Sequence, residues 1–344
     1  MELPASIRDV CHLEELLSEP SAAAIEAMRR VTGDILVLGV GGKMGPTLAR
    51  MARRAADAAG VSVRVIGVSR FSSSAQQAAL EPHGIETIRC DLLDEDALAR
   101  LPDAPNVIFM AGRKFGSTGD EPLTWAMNTH LPALVCRRYT GSRIVAFSTG
   151  NVYGLTPSGH GGSREEDPPN PVGEYAMSCL GRERMFEHFS RTYGTPVAIL
   201  RLNYATEMRY GVLVDLARKV FRREPLDLAM GYFNVIWQAD ANAMALAALA
   251  HTSSPPLIVN LAGAEELSVR ATSTELARLL DVDVSFEGRE GPDALLSNGA
   301  RGRALLGTPR VDAARLLAWT AAWIRRGGEN LDKPTHFESR TGRF

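Results

Sequence analysis

The sequence has no apolar run long enough to cross a bilayer, which argues against a helical membrane protein. It has no basic stripe either. Its 38 Lys and Arg are set against 40 Asp and Glu, and the cations fall in short pairs such as Arg29-Arg30, Arg53-Arg54 and Arg222-Arg223, so nucleic acid is not an expected partner. Cysteine is scarce: Cys11, Cys90, Cys136 and Cys179 show no CxxC or CxxxH spacing, and no metal site is expected. The opening MELPASIRDVCHLEELL lacks the basic and apolar regions of a signal peptide, so free thiols in a reducing cytoplasm are expected. Internal repeats and low-complexity tracts are missing too. What remains is 344 residues, 45% hydrophobic, enough for one large or two modest domains suited to small-molecule chemistry.

Apolar, β-branched runs alternate with helical patterns over the first two hundred residues: DILVLGV (34–40), SVRVIGV (62–68), ETIRC (86–90), NVIFM (106–110), RIVAFS (143–148) and PVAIL (196–200). That order predicts parallel strands joined by crossover helices, an α/β, Rossmann-like doubly wound sheet with a smaller C-terminal substrate or lid domain. Residues 1–30 read as an N-terminal helical extension broken near Pro20, and 31–202 as the nucleotide-binding domain. Residues 203–344 read mainly as the lid, with short strands near 235–237 and 257–260 that could return to the main domain. The Gly/Pro/Ser-rich loop SGHGGSREEDPPNP (158–171) is long enough to form an active-site wall. The polar DKPTHFESRTGRF is expected to lie across the surface.

Directly after the first strand comes Gly39-Val40-Gly41-Gly42-Lys43-Met44-Gly45, followed by the helix-forming PTLARMARRAADAAG. Glycines permit a tight turn and close backbone approach to a pyrophosphate, and the helix N-terminus offers unpaired amides to the anion. An ordinary glycine-rich turn is the bland alternative; strand, loop and helix in this order favour the phosphate site. At the end of the second strand an acid would hold a ribose 2′-hydroxyl and an arginine would accommodate a 2′-phosphate. Here Ser69-Arg70 stand, which favours NADP over NAD. Asp91, after the third strand, can accept from an adenine amino group or cap the DEDALARL helix.

From Gly39 to about Gly328 the chain resembles the extended short-chain dehydrogenase/reductase superfamily, which contains nucleotide-sugar epimerases and dehydratases. The resemblance rests on Gly39-x-x-Gly42-x-x-Gly45, FSTGNVYG (147–154), EEDPPNPVGEYAMSCLGRERMFE (165–187) and DVDVSFEGRE (281–290). It implies a nicotinamide cofactor held by Gly39, Gly42, Lys43, Met44, Gly45, Ser69, Arg70, Asp91, Leu92, Ala111, Gly112, Lys114, Asn128 and Tyr175. Thr149 takes the position that hydrogen-bonds the reacting oxygen, and Tyr175 that of the acid/base. The same residues read blandly as a turn threonine and a buried helix aromatic. The implied activity is epimerase, dehydratase or reductase chemistry on a sugar or sugar-derived polyol; the rival is a cofactor-binding sensor or scaffold.

Most members carry a lysine one helical turn after the tyrosine, where this chain has Cys179. An unassisted tyrosine titrates near ~10, leaving about a thousandth ionised at neutral pH. Three accounts compete. Cys179 is a small packing residue in a weakened site; or Lys114 of MAGRKFGS (110–117), which resembles an epimerase turn whose lysine approaches the cofactor, supplies the cation; or Cys179 is itself reactive, with Arg182 one turn beyond.

Among substrate candidates, Asn151, Asn203, Tyr204 and Arg209 sit near the nicotinamide end of the expected cleft or its lid, and Arg289 resembles a second family arginine. Ala229-Met230 stand where nucleotide-sugar enzymes have an arginine on the substrate diphosphate, so a substrate without a nucleotide handle is expected. Trp319 and Trp323, one turn apart, read as core. Helices at 123–138 and 173–192 resemble the pair that builds a four-helix homodimer contact.

Overall fold

The computed structural model describes residues 3–114 and 116–342. Seven strands form one sheet: β1 (Ile35–Leu38), β2 (Val65–Ser69), β3 (Ile85–Arg89), β4 (Asn106–Phe109), β5 (Arg143–Thr149), β6 (Val197–Leu202) and β7 (Leu257–Leu261). The order is β7-β6-β5-β4-β1-β2-β3, with every pairing parallel. The fold is the doubly wound α/β architecture expected. Because the winding reverses between β1 and β4, a crevice opens beyond their carboxyl ends.

Helices cover both faces, so β1 is buried along its whole length and reads as a continuous apolar run. Ile35, Val37 and Ile108 pack on the face covered by helices Gly45–Ala59 and Gln238–Ala248. Leu36, Leu38 and Phe109 pack on the other, where the Phe109 ring meets Phe186 edge-on at 5.4 Å. Helices Val10–Leu17 and Ala22–Arg30 flank Pro20 and are capped by the side chains of Asp9 and Ser21. The second of them packs against helices Gln238–Ala248 and Gly45–Ala59.

Beyond β6 the chain serves both layers. The segment at 257–261 is the edge strand of the main sheet, whereas Ile236–Trp237 pairs with Ala205–Thr206 in a two-strand patch. Trp319 and Trp323 are buried, and the Trp319 ring lies 5.6 Å from that of Trp237.

Three details depart from the sequence reading. The helix expected over 123–138 is broken into Glu121–Trp125, a π-helical turn Ala126–His130 and Leu131–Arg138, and the π turn carries the buried Asn128. The helix Glu95–Ala99 is capped by Asp94; Asp91 accepts instead from the Leu93 amide at 3.1 Å. The segment expected on the surface near 332–342 is anchored inward. Thr335 and Phe337 are each 2% exposed, the Asp215 carboxylate accepts from the Thr335 amide and hydroxyl at 2.8 and 2.6 Å, and the Phe337 ring lies 6.1 Å from that of Phe233. One phenylalanine in a polar run is what drives that burial.

Candidate active site

The glycine loop has the shape a phosphate cradle requires. Gly39 has φ +91°, and a Cβ there would lie 2.6 Å from the Ala111 nitrogen of the turn after β4. Gly45 opens the helix Gly45–Ala59, followed by Pro46 in its first turn, and a Cβ on it would collide with the Val40 carbonyl. At Gly42 a Cβ would meet only the Gly39 carbonyl, at 3.3 Å, so this residue presents bare backbone to the cleft. Backbone amides and a helix start without side-chain obstruction fit a dinucleotide pyrophosphate.

This loop forms one wall of a cleft of ≈ 260 Å³. Gly39, Gly42, Lys43, Met44 and Gly45 line it from one side, Gly112 and Lys114 from the turn after β4, and Thr149 and Asn151 from the end of β5. Tyr175 and Tyr204 complete the set of sequence candidates that converge there. Arg113, Arg182, Tyr210, Gln238 and Thr335 line it as well, none of them anticipated as site residues. The spacing 175, 179, 182, 186 on one buried helical stripe carried a signal for Arg182, since a charged residue rarely sits in such a stripe without a task.

Other candidates lie elsewhere. The Ser69 hydroxyl packs where a Cβ on Gly41 would sit, and Arg70 is exposed beyond the end of β2. Asp91 is exposed, while Leu92 and Ala111 are buried. Asn128 and Cys179 are buried and are not part of the cleft wall. Asn203 donates to Asn234 at 2.6 Å and is 1% exposed, so its amide is committed to that contact. Arg209, expected to reach substrate, is drawn away by two carboxylates, Glu14 at 2.7 Å and Glu207 at 3.1 Å. Arg289 is exposed and forms no part of the cleft wall.

At the reacting end, the Thr149 hydroxyl donates to Asn151 Oδ1 at 2.9 Å and accepts from the Asn151 amide at 3.2 Å. The side chains of Thr149 and Cys179 act on the Tyr175 phenol. Burial holds that phenol far above the ordinary tyrosine range; Cys179 adds to the rise, while Arg182 and Thr149 oppose it. Burial also raises the Cys179 thiol, against the pull of Arg182 and of the Tyr175 hydrogen bond. A buried, protonated thiol is a poor nucleophile, which removes support from the reactive-cysteine account. Cys179 thus acts opposite to a lysine, raising the phenol rather than lowering it.

Two lysines face the same space. The Lys114 ammonium lies 5.9 Å from the Tyr175 ring centroid and donates to the Thr335 carbonyl at 3.3 Å. Burial lowers it to about 8, with Cys179 and Asp215 pulling the other way. The Lys43 ammonium lies 2.9 Å over the Tyr210 ring centroid and is lowered to about 6, chiefly by burial and then by Lys114.

The model of the NAD dependent epimerase/dehydratase family matches residues 35–206, half of the chain. Among solved structures, an epimerase from Methanothermobacter thermautotrophicus superposes with TM-score 0.72 at 21% identity, covering 90% of this chain and 97% of the other. A UDP-glucuronic acid 4-epimerase variant from Bacillus cereus, in complex with NAD and a fluorinated UDP-sugar, gives 0.71 at 19% identity over 85% and 99%. A UDP-glucose 4-epimerase from Thermus thermophilus, in complex with NAD, gives 0.68 at 21% over 85% and 99%. No curated protein matches the chain.

Proposed function

The chain belongs to the NAD dependent epimerase/dehydratase family, and from that premise we infer an enzyme that works at a carbinol or carbonyl carbon of a compact, sugar-like polyol carrying no nucleotide. The enzyme is of the extended short-chain dehydrogenase type and uses a nicotinamide cofactor, which supplies hydride exchange at carbon when bound. The observation that carries the reading is the convergence of the Gly39–Gly45 loop with Thr149 and Tyr175 on one cleft. Gly39, Gly42 and Gly45 would hold the pyrophosphate. Thr149 holds the substrate oxygen, and Tyr175 enters the reaction protonated, its O–H donating to that oxygen as it gains charge.

The absence of a nucleotide handle is supported by what covers the lid side. Arg340 donates to the carbonyls of Ala229 and Asp293, each at 3.1 Å, and pairs with the Asp293 carboxylate. Beneath Ser339, Arg340 and Gly342, bounded also by Asn151, Leu155, Val172 and Tyr204, a gap of only ≈ 30 Å³ is left, room for about one water. NADP preference is supported by Ser69-Arg70 and the lack of an acid at the end of β2. A homodimer through the 121–138 and 173–193 helices is supported by Trp125 and Met177, large apolar residues exposed there.

A second reading, a cofactor-binding sensor with little chemistry, is favoured by one feature: the buried Cys179 that stands where most members carry the lysine. The discriminating experiment titrates the protein with NADPH and NADH by fluorescence, then incubates the complex with free aldoses, uronic acids and polyols alongside UDP-sugars, with product analysis by chromatography. Tighter NADPH binding and conversion of a nucleotide-free substrate are expected. Faster conversion of a UDP-sugar would overturn the compact-substrate reading; cofactor binding with no product from any of them would install the sensor.

A further inference from the structure

Arg182 occupies an unusual place for a guanidinium. It is 6% exposed, on the same face of the Gly173–Tyr193 helix as Tyr175 and Cys179, and it reaches the cleft wall. Its Nη1 donates to the Phe147 carbonyl at 2.7 Å, its Nη2 to Asn128 Oδ1 at 2.7 Å and its Nε to the Asn128 carbonyl at 3.4 Å. All three acceptors are uncharged. The neighbouring carboxylate, Glu183, is taken by Arg201 at 2.7 Å. A guanidinium buried among neutral acceptors is costly unless a negative charge comes to it, and the cleft is where one would arrive.

The partners of Arg182 extend its reach. Asn128 Oδ1 also accepts from the Arg113 amide at 2.8 Å, and its Nδ2 donates to the Arg113 carbonyl at 2.9 Å and to Ser178 at 3.0 Å. The guanidinium therefore fixes the amide that clasps the turn bearing Lys114, holds the strand end that leads into Thr149, and rides on the helix of Tyr175. It packs so close to Gly112 that a Cβ there would collide with Nη2. A four-carbon ammonium has no planar fork to make these contacts together.

We propose that Arg182 is the positioning residue of this site and supplies, from one turn further along the helix, the positive charge that Cys179 does not. Cys179 is packed away from the cleft wall, which Arg182 reaches; the guanidinium charge acts on the Tyr175 phenol while Asn128 and Phe147 keep it aimed. The inference rests on the nicotinamide-binding reading. Its test is a charge swap read first by binding rather than turnover: NADPH and NADH dissociation constants by fluorescence titration at pH 7 for the parent, Arg182→Met, Arg182→Lys and the double variant Cys179→Lys/Arg182→Met, each with circular dichroism and a melting curve.

Arg182→Met should weaken binding about tenfold, Arg182→Lys less, and the double variant should return to within about threefold of the parent, because a lysine at 179 restores the charge without the fork. Arg182→Met binding like the parent, or a double variant no better than Arg182→Met, would overturn the proposal. If Arg182→Met does not fold, the double variant decides: a folded, binding protein supports the charge role, and an unfolded one shows that the guanidinium is structural only. A parent that binds neither nucleotide would instead sink the functional reading beneath it.

Discussion

Cofactor binding should draw a proton into the cleft. Lys43 stands in the glycine loop, lowered to about 6 by burial, then by repulsion from Lys114 and Lys333, against attraction from Glu207 and Asp215. At pH 7 roughly a tenth of ligand-free molecules carry that charge. A phosphate charge brought to about 6 Å, at an effective dielectric of about 20, is worth roughly 2.8 kcal/mol, or about two pKa units. That would leave the lysine roughly nine-tenths protonated, an uptake of about 0.8 proton per cofactor. Lys114, lowered only to about 8, is already mostly charged at pH 7 and adds little. Because the complex holds more protons than the free protein, affinity should fall as pH climbs from 6 to 8, by roughly 25-fold. Folding stability moves the other way. The folded-state value lies below that of an exposed lysine, so the penalty for the buried charge is full below about pH 6 and eases as pH rises above it. Titration calorimetry at pH 7 in buffers of different ionisation enthalpy counts the protons from the slope. Lys43→Met should abolish the uptake and flatten the pH dependence of binding. A zero slope in the parent, or an uptake that survives in Lys43→Met, would refute the reasoning.

Arg70→Ala should erase most of the difference between NADPH and NADH affinity; equal or better NADH binding in the parent would show that the turn after β2 has been misread. Lys114→Met should depress turnover more than Cys179→Ala, since it removes a cation 5.9 Å from the Tyr175 ring while the other removes a neutral thiol, and steady-state rates on the identified substrate give the ordering. Glu183→Gln should cost about 3–5 kcal/mol in urea denaturation, because it leaves Arg201, 2% exposed, without the carboxylate that now accepts from it and from the Ser148 hydroxyl. A loss below about 1 kcal/mol would mean that Tyr153, which accepts from Arg201 at 2.6 Å, suffices to hold that charge.

The fold was legible because its signals are local: β-branched runs such as ILVL and VIGVS are buried on both faces, and the glycines of the first loop answer to steric contacts that a reader can infer from spacing. Thr149 and Tyr175 were marked by resemblance to family motifs, and both line the cleft. The place of Arg209 was not legible, because the carboxylate that draws it away, Glu14, lies 195 residues distant in sequence. Asn128 could be marked as a site residue, yet the π turn that buries it has no local signature in AMNTH. Arg182 was weighed only as a neighbour of the thiol, since its value depends on acceptors from β5 and the π turn brought together by tertiary packing.

The 329–342 segment has a kinetic meaning. It reaches the cleft at Thr335, with the Thr335 carbonyl on Lys114, two hydrogen bonds to Asp215 and one aromatic side chain set against Phe233. Burial raises the Asp215 carboxyl, while the bonds from Thr335 hold it down, so the latch is strongest where that carboxylate is ionised. A ligand leaving past this segment must wait for those contacts to part together, an event on the slower timescale of segment opening rather than of side-chain rotation. On that route the residence time of a cleft ligand is set by Thr335, Phe337 and Asp215, of which only Thr335 lines the cleft.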